Sequence, residues 1–394
     1  MRWNVGLLSG CWGLVTTCNL ILVTISALVG YHLAEDKALA TLPAALMWFG
    51  TALATTPASF LMQRIGRRAG FMIAAAIGAL GALVAALAVV WGSFALLCVG
   101  VGTFGGFNAF NYYYRFAAAE SATDAFRSRA ISLVLAGGVV SAIIGPELAK
   151  WSRDLIDGHE FVGSFGVIIG FAAIAFFAIS RLDMPRPTAA ALRGGRSLRA
   201  IARQPTYLVA VSSGVIAYGV MTLMMTITAV AMAGAEHPFA DAAFVIQWHV
   251  LGMFVPSFFT GHLIGRFGVL NVMAWGAVLL LVCLGVGYAG LAVTHFWVAL
   301  TLLGVGWNFL FVGATTLLTE CYSLAERAKA QAANEFMIFG VAGVATFLSG
   351  NLYHHFGWDV LNLLAVVPVL AVLGATLWLA RRRRIAYAMS SAAD

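Results

Sequence analysis

Long apolar runs separated by short polar loops dominate the chain. The runs lie at about 5–33, 38–62, 70–91, 93–118, 130–149, 161–181, 206–233, 240–264, 269–291, 295–319, 330–350 and 358–380. A helix needs about 20 apolar residues to cross the hydrocarbon core of a bilayer. A transmembrane β-barrel would instead show short alternating segments, which are not visible here. The pattern therefore predicts an all-α membrane protein with twelve transmembrane helices.

Composition narrows the class of protein further. Hydrophobic residues make up 61% of the 394 residues and charged residues only 10%, against about 25% charged residues in a soluble domain. The five cysteines show neither CxxC nor zinc-type spacing, so a disulfide framework is not expected. No nucleophile–base set or glycine-rich phosphate loop is visible. We expect neither an enzyme nor a resident cofactor.

The basic residues indicate topology rather than a nucleic-acid partner. The net charge is +7. If both termini are cytoplasmic, most arginines fall in cytoplasmic loops, including the group from Arg181 to Arg203 and the run Arg381 to Arg384. This is the bias that orients inner-membrane proteins. We expect a multi-pass protein of a bacterial inner membrane, with the lipid bilayer and not nucleic acid as its surroundings.

One long polar connector divides the chain. Leu182 to Pro205 contains an amphipathic stretch, Leu192–Arg203, which is typical of a segment lying on a membrane surface. The predicted organisation is therefore a six-helix bundle at 1–181, a cytoplasmic linker at 182–205, a second bundle at 206–380 and a basic tail at 381–394.

The two halves carry matching loops. The segment 59–66, SFLMQRIG, aligns with 261–268, GHLIGRFG, at an offset of 202, and residues 120–130 align with 320–330 at an offset of 200. Repeated loops at corresponding places are typical of fused homologous bundles. The stretch from Gln63 to Arg68, QRIGRR, also resembles the loop 2–3 signature of the major facilitator superfamily, with Gln63 and Ser59 in place of an Asp and a Gly. This resemblance implies two pseudo-symmetric six-helix bundles and alternating access.

Helices 7 and 8 carry candidate soft ligands. Met221 and Met225 are four residues apart, as are His249 and Met253, so each pair lies on one helix face. Thioether and imidazole ligands suit copper and place no carboxylate in the hydrocarbon. The alternative is that the methionines have only a packing role between the helices.

This paired motif resembles that of CcoA-type copper importers. The resemblance implies that Met221, Met225, His249 and Met253 bind copper as transported substrate, and that the protein imports it for cytochrome oxidase assembly. A cytoplasmic copper acceptor would then exist, although the sequence does not identify it. Two alternatives stay open: a carrier of an organic solute such as riboflavin, and a non-transporting sensor or assembly factor.

Other residues are candidates for a path or a gate. The repeat offset maps His249 onto Met47 and Met221 onto Asn19; with Met224, Cys11 and Cys18, these could form an accessory path. Arg115 near one end of helix 4, Glu335 at the start of helix 11 and Arg64 in the loop signature are candidate gating residues. The alternatives are interfacial side chains and packing cysteines. We expect a monomer.

Overall fold

The computed structural model describes residues 2–36, 39, 42–184 and 194–391, and these ranges contain helices but no strand. The first half forms eight helices: α1 (Arg2–Leu33), α2 (Leu42–Ile65), α3 (Arg67–Val90), α4 (Phe94–Asn111), α5 (Tyr114–Glu120), α6 (Arg127–Ala136), α7 (Gly138–Ser152) and α8 (Val162–Ile179). Helices α4 and α5 together form one candidate span, Phe94–Glu120, and a short 3₁₀ turn, Asp124–Phe126, precedes α6. The predicted amphipathic linker falls partly outside the described residues.

The second half contains seven described helices. Its helices are α9 (Leu198–Ala202), α10 (Pro205–Gly234), α11 (Phe239–Phe254), α12 (Ser257–Phe267), α13 (Val269–Ala289), α14 (Val293–Leu318) and α15 (Arg327–Ser391). Helix α15 is two helices joined at Gly357, whose positive φ of 74° interrupts the helical backbone.

The span count agrees with the prediction. In the described part of the chain, eleven helices are long and apolar enough to cross a membrane, and twelve if the bent pair α11–α12 is one span. The pair bends by 41° on either side of Pro256, whose missing N–H and fixed φ interrupt a helix. The predicted all-α membrane fold is confirmed, and the eighth span is broken rather than continuous.

The sequence repeat is visible in the backbone. Gly66 closes α2 with φ 89°, and Gly268, 202 residues later, closes α12 with φ 87°. In each case the next helix begins at the residue that follows the glycine. Residues with a side chain rarely adopt this left-handed conformation, so glycine is required at the same point of each repeat.

Two compact units can be distinguished by their internal packing. Unit 1 comprises 1–122, 133–194 and 324–343; unit 2 comprises 123–132, 195–323 and 344–394. In unit 1, α4 packs against α2 and α3, while α1 packs against α7 and α8. In unit 2, α14 packs against α10, α11 and α13. The division into bundles at 1–181 and 206–380 stays a prediction.

Candidate functional site

The predicted soft ligands lie on the buried side of their helices in unit 2. Met221 on α10 and Met253 on α11 are buried, and Met225 is half-buried. Met224 is also buried. His249 is fully buried on α11. In the described part of the chain no three His, Cys, Asp or Glu side chains converge on a metal position, so a metal ion at His249 would depend on the methionine sulfurs.

The imidazole of His249 has a fixed orientation. Its Nδ1 lies 2.9 Å from the carbonyl oxygen of Leu300. Because a carbonyl only accepts hydrogen bonds, Nδ1 carries the proton and Nε2 is left as an acceptor. Nε2 is buried and has no hydrogen-bond partner. This nitrogen can therefore accept a hydrogen bond from a ligand or bind a metal ion.

A close helix contact places His249 against α14. A Cβ added at Gly304 would lie 2.4 Å from the carbonyl oxygen of His249 and 2.7 Å from the amide nitrogen of Met253. Only a residue without a side chain allows this approach. Asn308, one turn further along α14, donates to the carbonyl of Met253 at 2.7 Å, next to the break between α11 and α12. The amide thus satisfies a carbonyl that lies beside the helix break.

Unit 1 contains a cluster of aromatic side chains, the unit 1 aromatic cluster, formed by Trp12, Trp48, Tyr112 and Phe339. The ring of Tyr112 lies 5.7 Å from that of Trp12 and 4.1 Å from that of Phe339, measured between centroids. Trp48 is stacked on Phe339 at 6.4 Å. Sequence reasoning did not identify this cluster, because it joins helices that are distant in the sequence.

Buried amides extend from the aromatic cluster along α1 and α4. Asn19 lies seven residues after Trp12 and so on the same face of α1. Its Nδ2 donates to Oδ1 of Asn108 at 2.7 Å, and Asn108 donates in turn to Thr51 at 3.2 Å. Asn111 is buried one residue before Tyr112. Hydrogen bonds thus link α1, α4 and α2 next to the aromatic cluster.

Several buried polar atoms in the described part of unit 1 have no hydrogen-bond partner. Buried atoms without a hydrogen bond in unit 1 include Trp12 Nε1, Asn19 Oδ1, Asn111 Oδ1, Tyr114 Oη and Glu335 Oε2. An unsatisfied buried polar atom costs about 1–3 kcal/mol, so each of these atoms can accept or donate a hydrogen bond to a ligand or a water molecule. A cavity of about 330 Å³ beside the α2–α3 turn, lined by residues such as Arg68 and Met184, includes none of these atoms.

The predicted gating residues Arg115 and Glu335 form an ion pair. Arg115 Nη2 donates to Glu335 Oε1 at 2.5 Å, and both side chains are completely buried. Arg115 also lies over the ring of Phe116 at 4.7 Å. Their pairing agrees with one interpretation of the sequence; the gating role stays a prediction.

A second charged cluster, the Glu120 cluster, lies at the α2–α3 turn. Arg67 and Arg327 both pair with Glu120, at 2.6 and 2.9 Å, and Gln331 accepts from Arg67 at 2.7 Å. Arg64, the residue singled out from the sequence, is exposed at the end of α2. The signal that could have identified the cluster was the repeat itself, since Glu120 and Arg327 both lie in the matched loops.

Ser59, which stands in place of the usual glycine of the loop signature, makes a defined contact. Ser59 donates to the carbonyl of Ala328 at 3.0 Å. In unit 2, Ser128 donates to the carbonyl of Gly261 at 3.1 Å, and these positions correspond through offsets of 202 and 200. A Cβ at Gly261 would lie 2.6 Å from the Cα of Arg129. Each repeat thus makes one such contact. In unit 1 the serine is on α2 and the carbonyl on α15, whereas in unit 2 the serine is on α6 and the carbonyl on α12.

The remaining candidate path residues are buried in unit 1. Met47 is 1% exposed, and Cys11 and Cys18 are buried free thiols. The Cys18 sulfur lies 4.0 Å from the carbonyl oxygen of Ile168 on α8, a packing contact between α1 and α8. The proposed path role of these residues and of Asn19 stays a prediction.

Comparison with known proteins assigns the family. The model of the Major Facilitator Superfamily matches residues 7–247 and 227–389. The chain therefore belongs to the major facilitator superfamily, and it is a carrier rather than an enzyme. Carriers of this family typically need no bound cofactor, which agrees with the sequence prediction.

The similar proteins include one transporter with a named solute and one that is described as uncharacterized. The chain is 42% identical over 374 residues to the riboflavin transporter RfnT of Brucella anthropi, covering 94% of each chain. It is 30% identical to the uncharacterized MFS-type transporter YddS of Bacillus subtilis, over 91% of this chain and 87% of that one. Among solved structures, the transporter FucP in the outward conformation has a TM-score of 0.76 at 18% identity, covering 96% of this chain and 98% of that one. The last likeness concerns the fold alone.

Proposed function

We propose that this carrier transports a planar, uncharged organic solute of the riboflavin type across a bacterial inner membrane, with both termini in the cytoplasm. The observation that carries the proposal is the 42% identity to a riboflavin transporter over 94% of both chains. This similarity favours the organic solute over copper, which was the first interpretation of the methionine and histidine motif.

The unit 1 aromatic cluster supports this substrate class. An isoalloxazine ring is flat, and its edge carries amide-like donors and acceptors. Aromatic side chains such as Trp12 and Tyr112 would pack on its face. The unpartnered oxygens of Asn19 and Asn111 would accept hydrogen bonds from its N–H group or from the hydroxyls of the ribityl chain. Such a site needs no fixed charge to hold a neutral ligand.

Copper import is the second candidate, favoured by one observation. His249 is completely buried and its Nε2 has no partner, while Met253 lies one turn away on the same helix. Met221 and Met225 on α10 would have to complete the coordination. A neutral imidazole with thioethers suits a copper ion, which the protein would then deliver to an acceptor for cytochrome oxidase assembly.

One experiment separates the two candidates. Purified protein in proteoliposomes is supplied with radiolabelled riboflavin or with radioactive copper, and uptake is compared for wild type, Trp12→Leu, His249→Ala and Met221→Ala. Met232→Ala, a fully buried methionine of α10 outside the motif, controls for packing loss. The proposal expects riboflavin uptake that falls in Trp12→Leu and survives Met221→Ala.

The opposite pattern would replace the proposal. Copper uptake by wild type that is lost in His249→Ala and Met221→Ala but not in Met232→Ala, together with no riboflavin uptake, would establish the second candidate. Uptake of neither solute by correctly inserted protein would contradict both.

A further inference from the structure

A basic cavity lies in unit 2 where the start of α13 meets the end of α15. It has a volume of about 250 Å³ and is lined by Gly268, Val269, Leu270, Asn271, Ala380, Arg383 and Arg384. Two of these lining residues are arginines and none of them is acidic. The N-terminal turn of α13 is part of the same lining, and the partial positive charge of a helix start favours an anion. The cavity therefore suits a negatively charged group.

The two arginines of this cavity differ in their contacts. Arg383 Nη2 donates to Glu320 Oε2 at 2.8 Å and to Thr206 Oγ1 at 3.3 Å, so a carboxylate already balances its charge. Arg384 is exposed, and among the described residues its side chain has no hydrogen bond or ion pair. A guanidinium offers a planar fork of donors that matches a phosphate group. Arg384 is therefore the lining residue that can bind a phosphate.

Exposed apolar side chains continue from the cavity along both helices. Trp275 lies one helical turn after the lining residue Asn271 on α13, and Leu377 lies three residues before Ala380 on α15. Both side chains are exposed, and residues at these spacings share a helix face. In a protein that spans a membrane, such side chains contact lipid. A cavity that suits a phosphate and borders this apolar surface fits an amphiphile better than a free anion.

The corresponding cavity of unit 1 is less basic. It lies at the α2–α3 turn and is lined by Ile65, Gly66, Arg68, Ala69, Met72 and Met184. Gly66 corresponds to Gly268 at an offset of 202, and Met184 lies 200 residues before Arg384. A methionine thus stands in unit 1 where unit 2 has the arginine without a partner. The preference for an anion is therefore a property of the cavity in unit 2.

We propose that the cavity of unit 2 binds the phosphate group of an anionic phospholipid, in the leaflet on the side of both termini. Arg384 holds the phosphate oxygens, and the acyl chains lie along Trp275 and Leu377. The bound lipid joins the start of α13 to the end of α15 and so stabilises unit 2. This site does not depend on which solute is carried, and it goes beyond the proposed function by assigning a lipid partner.

Two variants of equal charge test the site. Purified protein in a neutral detergent is titrated with phosphatidylglycerol, and the bound lipid is counted by native mass spectrometry. Arg382→Gln is the matched control for Arg384→Gln, because Arg382 is exposed on the same helix, lies over the ring of Trp378 at 5.6 Å and is not part of the cavity lining. Diffuse attraction to an anionic lipid contributes about fivefold in affinity per basic residue.

The site predicts unequal losses of affinity. Arg384→Gln should weaken phosphatidylglycerol binding by about tenfold or more, because the fork of hydrogen bonds is lost together with the charge. Arg382→Gln should weaken it by no more than about fivefold. Arg384→Lys, which keeps the charge without the fork, should lie between wild type and Arg384→Gln. Equal losses in Arg384→Gln and Arg382→Gln would show diffuse attraction alone and overturn the site.

Thermal stability and competition give independent readouts. Phosphatidylglycerol should raise the melting temperature of wild type and of Arg382→Gln but not that of Arg384→Gln. Phosphatidylcholine, whose headgroup carries a phosphate but no net charge, should raise none of them. If Arg384→Gln melted earlier than wild type without lipid, Arg384→Lys would serve for the same comparison. Equal binding of the two lipids would overturn the preference for an anion, and displacement of the lipid by an equal concentration of inorganic phosphate would overturn the lipid assignment.

Discussion

Arg67 holds Glu120 through two hydrogen bonds, from Nε to Oε2 at 3.2 Å and from Nη2 to Oε1 at 2.6 Å. The two-pronged contact uses the planar guanidinium, which a lysine ammonium cannot reproduce. Arg67 is 5% exposed, so water replaces little of what is lost. The geometry, and not only the charge, therefore stabilises the junction of α2, α3 and the matched loops in unit 1.

Replacing this arginine by lysine should destabilise the protein. Arg67→Lys keeps the positive charge but loses one hydrogen bond to Glu120, and a bond to a charged group contributes about 2 kcal/mol. We expect a lower melting temperature in detergent, followed by fluorescence-detected size-exclusion chromatography. Arg68→Lys, the exposed neighbour, is the control and should melt like wild type. Equal melting temperatures for both variants would contradict a structural role for the two hydrogen bonds from Arg67 to Glu120.

The unit 1 aromatic cluster gives a prediction for binding. Flavin fluorescence is quenched by contact with aromatic rings, so titration of purified protein with riboflavin measures affinity directly. Trp12→Leu should weaken binding about tenfold, because an aromatic contact contributes about 1.5 kcal/mol. Trp91→Leu, which changes a tryptophan 67% exposed at the end of α3, should bind as wild type does. Identical affinities for the two variants would remove Trp12 from the site.

The contact between α11 and α14 can be tested by adding one methyl group. Gly304→Ala places a Cβ 2.4 Å from the backbone oxygen of His249, so the two helices must separate at a cost of about 1–3 kcal/mol. Gly285→Ala on α13 meets no atom within 4 Å and should leave stability unchanged or raise it slightly. A Gly304→Ala protein that melts no earlier than Gly285→Ala would show that the close approach is not required.

The sequence predicts the fold of this protein better than it predicts the candidate site. The apolar runs gave the spans, because helix length in a bilayer is set by the thickness of the hydrocarbon. The break in the eighth span was missed although Pro256 marks it, because apolar character alone does not report a bend. Arg115 and Glu335 were singled out because they are charged residues in apolar runs. In the loop signature the sequence analysis chose Arg64 as a candidate gating residue, whereas Arg67 makes the buried contacts.

The site itself was less accessible to sequence reasoning. Trp12, Trp48, Tyr112 and Phe339 lie on four spans, and only packing brings their rings together. Aromatic residues are common in membrane helices, so no local pattern separates these four from the rest. The methionine and histidine motif was visible because its spacing follows one helical turn, but spacing within a helix does not determine which solute is carried.

The last prediction concerns Asn308, which joins three groups at the break between α11 and α12. Its Nδ2 donates to the carbonyl of Met253 at 2.7 Å and to Oγ of Ser257 at 2.6 Å, and its Oδ1 accepts from Thr260 at 2.7 Å. Asn308→Leu removes all three bonds and leaves buried polar atoms unsatisfied, at about 1–3 kcal/mol each before relaxation. We expect a clear loss of thermal stability in detergent.

Asn308→Asp separates the effect of the amide hydrogen-bond donors from the effect of side-chain size and shape. Aspartate has nearly the same size and can still accept from Thr260, but a carboxylate donates nothing to Met253 or Ser257 and adds a buried charge. It should therefore be at least as destabilising as Asn308→Leu. Asn271→Asp is the control, because Asn271 is part-exposed and donates only to the carbonyl of Phe267 one turn earlier. If Asn308→Asp melted with wild type, the amide donors would not be what stabilises the broken span, and Pro256 with its neighbours would have to maintain the bend without them.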